Sequence, residues 1–267
     1  MTTKIRLSAN LTLTRYIVIA YALLSSTLTY AVDIRVVSSG GFASAYKKLA
    51  PEFEKKTGNS LIFSRGLSNG TDINSIPMRL ERNEDIDVVM MTGKSLDEMM
   101  AQGKLLPNSK VLFANSVIAC AVKQGEPTLD ISTVDKLRNA LLSIKTMAYS
   151  NGASGEYIKN SLMMKLGIKE QMAGKLVQTL AIPVGEVVAS GDTQIGCQQL
   201  SELKEIKGIE IIGPLPQEAQ LITPLFGAVV AKSKVPMQAK DLLLFLSSPT
   251  SAWAIEETGL ISISKGN

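Results

Sequence analysis

Polar and apolar residues alternate over 33–37, Asp-Ile-Arg-Val-Val, and this period of two predicts a strand. Tyr46, Leu49 and Phe53 then recur at helical spacing up to a stop at Gly58, with Pro51 expected to bend the helix. The pattern repeats as a strand at 60–64, a helix near 75–82, a strand at 86–91 and a helix at 95–102 closed by Gly103. Strand and helix in strict alternation predict a parallel sheet.

Further along, 116–122 reads as one longer apolar strand. Ser132-Thr133-Val134-Asp135 reads as a capping box opening a helix through Leu142. A strand at 146–149, helices at 155–165, 169–175 and 184–190, and a strand at 194–198 follow. The last third offers a strand at 221–231, a strongly apolar helix at 237–246 and a helix at 251–257. No repeat or Pro/Gly-rich linker interrupts the series, so two lobes joined by crossing strands are expected, with crossings near Ser116 and Leu221. A length of 267 residues fits two such lobes. The predicted class is α/β, each lobe a mostly parallel sheet flanked by helices, with two crossing strands as hinge. Residues 32–115 with 226–267 form the first lobe and 116–225 the second.

The segment before them reads differently. Lys4, Arg6 and Arg15 precede any acidic residue, an apolar run covers 16–24, and Thr29-Tyr30-Ala31 follows a Ser/Thr stretch. This predicts a signal peptide over 1–31, cleaved after Ala31, with export to the periplasm. The apolar run is too short for a membrane span, which needs about 20 residues. Without the three basic residues of this segment the net charge falls from +4 to +1, and no basic stripe remains to suggest nucleic acid.

Several chemistries are excluded by composition. The chain has no histidine, so Ser-His-Asp, Cys-His and HExxH sites are absent. Cys120 and Cys197 are its only cysteines; nothing along the chain pairs them, and both are expected as small buried hydrophobes. Neither GxGxxG nor GxxxxGK[ST] occurs. No metal or cofactor is expected, and any acid–base chemistry would fall to Glu, Asp, Lys, Tyr or Cys.

What remains is two small-residue loops, Ser38-Ser39-Gly40-Gly41 and Ser150-Asn151-Gly152-Ala153-Ser154-Gly155, each between a predicted strand and a predicted helix. Ser and Gly are ordinary turn residues. They also let a backbone approach a ligand, and the helix start behind them offers unpaired N–H groups to an anion. Two such loops at strand ends point to a binding cleft.

The chain resembles the periplasmic substrate-binding proteins of ABC transporters, the molybdate-binding family above all. The likeness is carried by Ile34-Arg35-Val36-Val37-Ser38-Ser39-Gly40-Gly41, Lys55-Lys56-Thr57-Gly58, Asp85-Ile86-Asp87-Val88, Gly155-Glu156-Tyr157 and the run from Glu186 to Asp192, and by the close from Pro236 to Pro249. The resemblance implies an inter-lobe cleft holding a small anion through Ser39, Gly40 and Gly41, through some of Ser68, Asn69, Gly70 and Ser75, through Ser154 with Ser150 close by, and through Val184 and Gln199. Gly41 stands where the family usually has a hydroxyl, and Gln199 where molybdate binders often have Tyr. With Arg65 in a longer second loop, these departures favour a carboxylate or another larger anion. Of Gln198 and Gln199, strand alternation lets at most one reach the cleft.

Two functions follow from the resemblance. One is a monomeric binding protein that delivers an anion to an ABC permease. The other belongs to a divergent branch of the family that includes periplasmic aconitate isomerase, a cofactor-free enzyme. On that reading Glu156, Tyr157 and Glu186 lie nearest the pocket.

Overall fold

The apolar alternation at the start of the chain becomes strand β1 (Asp33–Ser38), which buries Ile34 and Val36 on one face and Val37 on the other. A strand buried on both faces needs helices on both sides, and the computed structural model, which describes residues 31–180 and 182–263, provides them. β1 pairs in parallel with β2 (Ser60–Arg65) and β3 (Val88–Thr92). In β3, Val88 and Met90 face one core while Val89 and Met91 face the other. The helix Gly40–Thr57 covers the first face with Phe42, Tyr46, Leu49 and Phe53. It runs through Pro51 and ends at Gly58, whose φ of 74° and N–H bond to the Glu54 carbonyl form a left-handed cap.

The run predicted as one strand at 116–122 is two. β4 (Val111–Ser116) belongs to the first sheet and β5 (Ile118–Lys123) to the second, so the chain changes sheets at Val117. It returns after β9 (Ile209–Pro214) to enter the first sheet as β10 (Thr223–Val229), antiparallel between β3 and β4. With β11 (Ile261–Ser262) the first sheet has the order β11-β4-β10-β3-β1-β2.

The second sheet contains β6 (Met147–Ser150), β7 (Leu176–Thr179) and β8 (Ile195–Gln199) in the order β7-β6-β8-β5-β9. Both sheets are mixed. β6 runs parallel to β7 and β8, while β5 is antiparallel to β8 and β9. β7 and β9, both edge strands, escape the sequence reading. β7 exposes Val177 and Gln178, and β9 ends in Gly213-Pro214, so neither shows a clean period of two.

The expectation that Cys120 and Cys197 are separate buried hydrophobes is overturned. They face each other across β5 and β8 and form a disulfide. A sequence separation of 77 hides this pairing, because only the tertiary register brings the two strands together. The other face of this sheet is lined by small residues. Gly196 lets the helix Val184–Ser190 pack so close that an added Cβ would stand 2.6 Å from Val184 Cγ1.

Candidate functional site

The strand-to-helix turns open into one cleft of about 400 Å³. From the first sheet come Ser39, Gly40 and Gly41, the loop from Arg65 to Ser68, and Thr92; from the second come the loop Ser150 to Ser154, Thr179, Gln198, Gln199 and Glu202. Ser39 is the N-cap of the 18-residue helix Gly40–Thr57, yet its hydroxyl makes no capping bond. The first-turn N–H groups therefore lack a side-chain cap from Ser39, and Ser39, Gly40 and Gly41 all line the cleft. Ser68 is buried and its hydroxyl accepts a bond from the Thr92 N–H at 3.1 Å, tying the second loop to the end of β3.

The second Ser/Gly loop folds on itself. Ser150 and Ser154 hydroxyls lie 3.4 Å apart, and the Gly152 N–H donates to Ser150 Oγ at 3.3 Å. Gly155 is required here because a Cβ at that position would stand 1.6 Å from the Ser150 carbonyl oxygen.

Of the residues expected at the site, Ser39, Gly40, Gly41, Ser68, Ser150, Ser154 and Gln199 line the cleft. Asn69, Gly70 and Val184 stand outside the lining. Val184 is fully buried against the second sheet, and Ser75 caps the helix Ile76–Glu81, donating to the Gly70 carbonyl and accepting from Met78 N–H. Both Gln198 and Gln199 reach the cleft, against the expectation of one at most. Strand alternation ends at Gln199, which turns (φ −54°, ψ 130°) into the helix Leu200–Leu203. Its amide is already engaged: Oε1 accepts from Ser116 at 2.6 Å and Nε2 donates to Thr223 at 3.2 Å. Gln199 thus clamps the two crossing segments together, and Ser201 adds a bond to the Gly41 carbonyl at 2.8 Å.

Four charged groups matter to the electrostatics. Arg65 lines the cleft with its guanidinium 3.7 Å from Glu205, a long pair, and Lys47 approaches the other Glu205 oxygen at 3.9 Å. Glu202 is the residue that sequence reasoning passed over, although it stands only three positions after Gln199. Its carboxylate lies over Gly40, where an added Cβ would come within 2.3 Å of Oε2, and Gln198 Nε2 donates to the same oxygen at 2.7 Å. Burial raises its pKa to about 7; Arg65 opposes the shift and Glu205 adds to it. By contrast Glu156 bonds Asn160, the Tyr157 hydroxyl donates to the Ala219 carbonyl, and neither they nor Glu186 lines the cleft.

The shift has a thermodynamic consequence. Folded Glu202 keeps its proton between about pH 4.5 and 7 while the unfolded chain has lost it, so folding stability falls as pH rises through that window. Carboxylates held low by their partners, such as Asp130 with Lys136 and Ser132, slope the opposite way. The comparison of wild type with Glu202→Gln cancels them. The wild type should lose melting temperature relative to the variant between pH 4.5 and 7, with no further divergence above. Parallel curves across that range would refute the shifted carboxyl.

Over residues 34–261 the chain matches the family model described as bacterial extracellular solute-binding protein. An aconitate isomerase from a Pseudomonas species is 42% identical over 242 residues, covering 89% of this chain and 92% of that one. The solved periplasmic molybdate-binding protein of Azotobacter vinelandii superposes with a TM-score of 0.71 at 18% identity, over 85% of this chain and 98% of its own. PEB3 with L-phospholactate bound gives a TM-score of 0.66 at 13% identity, over 86% of this chain and 100% of its own.

Proposed function

The chain belongs to the bacterial extracellular solute-binding protein family, and within that family we propose that its cleft binds a tricarboxylate of the aconitate class and interconverts its cis and trans forms. The observation that carries this reading is the 42% identity to an aconitate isomerase across nearly the whole of both chains. The cleft supports it chemically. Hydroxyls of Ser39, Ser150 and Ser154 and the open first turn of the helix Gly40–Thr57 suit carboxylate oxygens, and Arg65 offers a bidentate partner once drawn from its long contact with Glu205. The reaction needs no metal or cofactor, only carboxylate cradles and a group that moves a proton. Export belongs to the same reading: residues 1–31 are the signal peptide, a segment whose first thirty residues lie outside the described ones, and the periplasm is the working compartment.

Family membership favours a second reading, capture of an anion for an ABC permease. One experiment separates them. The purified protein is incubated with trans-aconitate, and cis-aconitate is followed by its absorbance and by chromatography, beside thermal shifts with both aconitates, citrate, molybdate and phosphate. Turnover together with stabilisation by aconitates is the expected result. Stabilisation by molybdate alone, with no turnover, would leave anion capture as the function.

A further inference from the structure

We infer that Glu202 is the catalytic acid–base group, a single carboxylate that takes a proton from one allylic carbon of the substrate and returns it to the other. This rests on the isomerase reading above and goes further by assigning the step to one side chain.

A proton shift needs a titratable group that touches the substrate. The chain has no histidine, and the disulfide removes both cysteines. No lysine or tyrosine is among the cleft-lining residues, which leaves Asp72, Glu202 and Glu205. Asp72 accepts the Asn74 N–H in an exposed loop turn, and Glu205 is shared between Arg65 and Lys47. Like Asp72, Glu202 has no cationic partner within ion-pair distance among the described residues, but Asp72 is exposed whereas Glu202 is partly buried.

Its placement fits the task. Gln198 holds Oε2 from one side, and the missing Cβ of Gly40 leaves room for the carboxylate at the base of the cleft. Oε1 has no hydrogen-bond donor among the described residues, so one oxygen is anchored and the other is open to substrate. Raised toward neutrality by burial, the group is present in both forms at pH 7, as a base that must later act as acid requires.

The step balances without a co-reactant. Glu202 carboxylate removes a proton from the substrate methylene. The C–H electron pair becomes part of a new double bond, and charge spreads onto the conjugated carboxylate, which Arg65 and the helix-start N–H groups are placed to stabilise. The neutral Glu202 carboxyl then protonates the carbon two positions away. The double bond has moved by one position, no proton, electron or water is gained or lost, and the geometry about it can differ. Gln198 acts as a positioning residue.

The test is steady-state aconitate isomerisation by wild type, Glu202→Gln and Glu202→Asp, each with thermal shift in trans-aconitate. Glu202→Gln should lower kcat by about 10²-fold or more while keeping the aconitate-induced stabilisation. Glu202→Asp, shorter by one methylene, should keep part of the rate, and provides the reading if the amide variant fails to fold. The wild-type kcat should rise with pH through a limb near 7 that the Gln variant lacks; the charged groups facing Glu202 are Arg65 and Glu205, and neither is altered. A Gln variant within tenfold of wild type would overturn the assignment while leaving isomerisation standing, and so would loss of stabilisation in step with turnover. Absence of turnover by wild type would overturn both.

Discussion

Replacing Cys120 and Cys197 together by alanine is expected to cost about 4 kcal/mol of stability, which corresponds to roughly 10 °C in melting temperature for a chain of this size. The bond closes a sequence separation of 77, and most of its effect lies in the unfolded chain, whose freedom it restricts. It joins β5 to β8 in the middle of the second sheet, with both residues fully buried, so reductant reaches it only on opening. Two measurements check it. Denatured wild type should present no free thiol until reduced, and the double variant should unfold at distinctly lower denaturant. Thiols that titrate before reduction, or a variant as stable as wild type, would refute the claim. An oxidising compartment suits such a bond, so the disulfide agrees with the proposed export.

Much of the cleft lining was legible because its geometry is local. A strand that ends in Ser-Ser-Gly-Gly or Ser-Asn-Gly-Ala-Ser-Gly before a helix carries its geometry in consecutive residues, and Ser39, Gly40, Gly41, Ser150 and Ser154 all line the cleft. Parts of the fold were legible for the same reason: β1 announces itself by its alternation, β3 by its apolar run, and the helix Gly40–Thr57 by the spacing of Tyr46, Leu49 and Phe53.

What escaped depends on register between distant segments. The Cys120–Cys197 bond needs β5 beside β8, and Gln199 becomes a clamp only when Ser116 and Thr223 arrive from two different crossings. Glu202 looks like an ordinary first-turn acid of a short helix until Gly40, 162 positions earlier, is packed beneath it. Glu156 and Glu186, equally ordinary by that standard, point elsewhere. First-turn acids are common, so helix position alone cannot rank them, and what sets Glu202 apart is its place in the cleft over Gly40, where no Cβ stands. The strands β7 and β9 were missed for a different reason: β7 has four residues with Val177 and Gln178 exposed, and β9 breaks its alternation at Ile211-Ile212 and ends in Gly213-Pro214.

Gly155→Ala should then abolish binding in the cleft while most of the fold survives. The added methyl would stand 1.6 Å from the Ser150 carbonyl oxygen and 2.6 Å from its carbon. Both are backbone atoms, so no rotamer change relieves the clash and the loop itself must open. Overpacking of this kind costs about 1–3 kcal/mol. Opening the loop also parts the Ser150 and Ser154 hydroxyls, now 3.4 Å apart, and withdraws two hydroxyls from the same ligand. Gly152→Ala is the control within the same loop, since its Cβ would meet only Ser150 Oγ at an ordinary 3.6 Å and should change stability by less than about 0.5 kcal/mol. Thermal melts with and without trans-aconitate read both effects. The Gly155 variant should melt lower and show no ligand shift, while the Gly152 variant should melt with wild type in the absence of ligand. A Gly155 variant that still responds to ligand would mean that the Ser150–Ser154 loop is not part of the binding surface, and the cradle would then have to be built from the Ser39 and Ser68 side of the cleft alone.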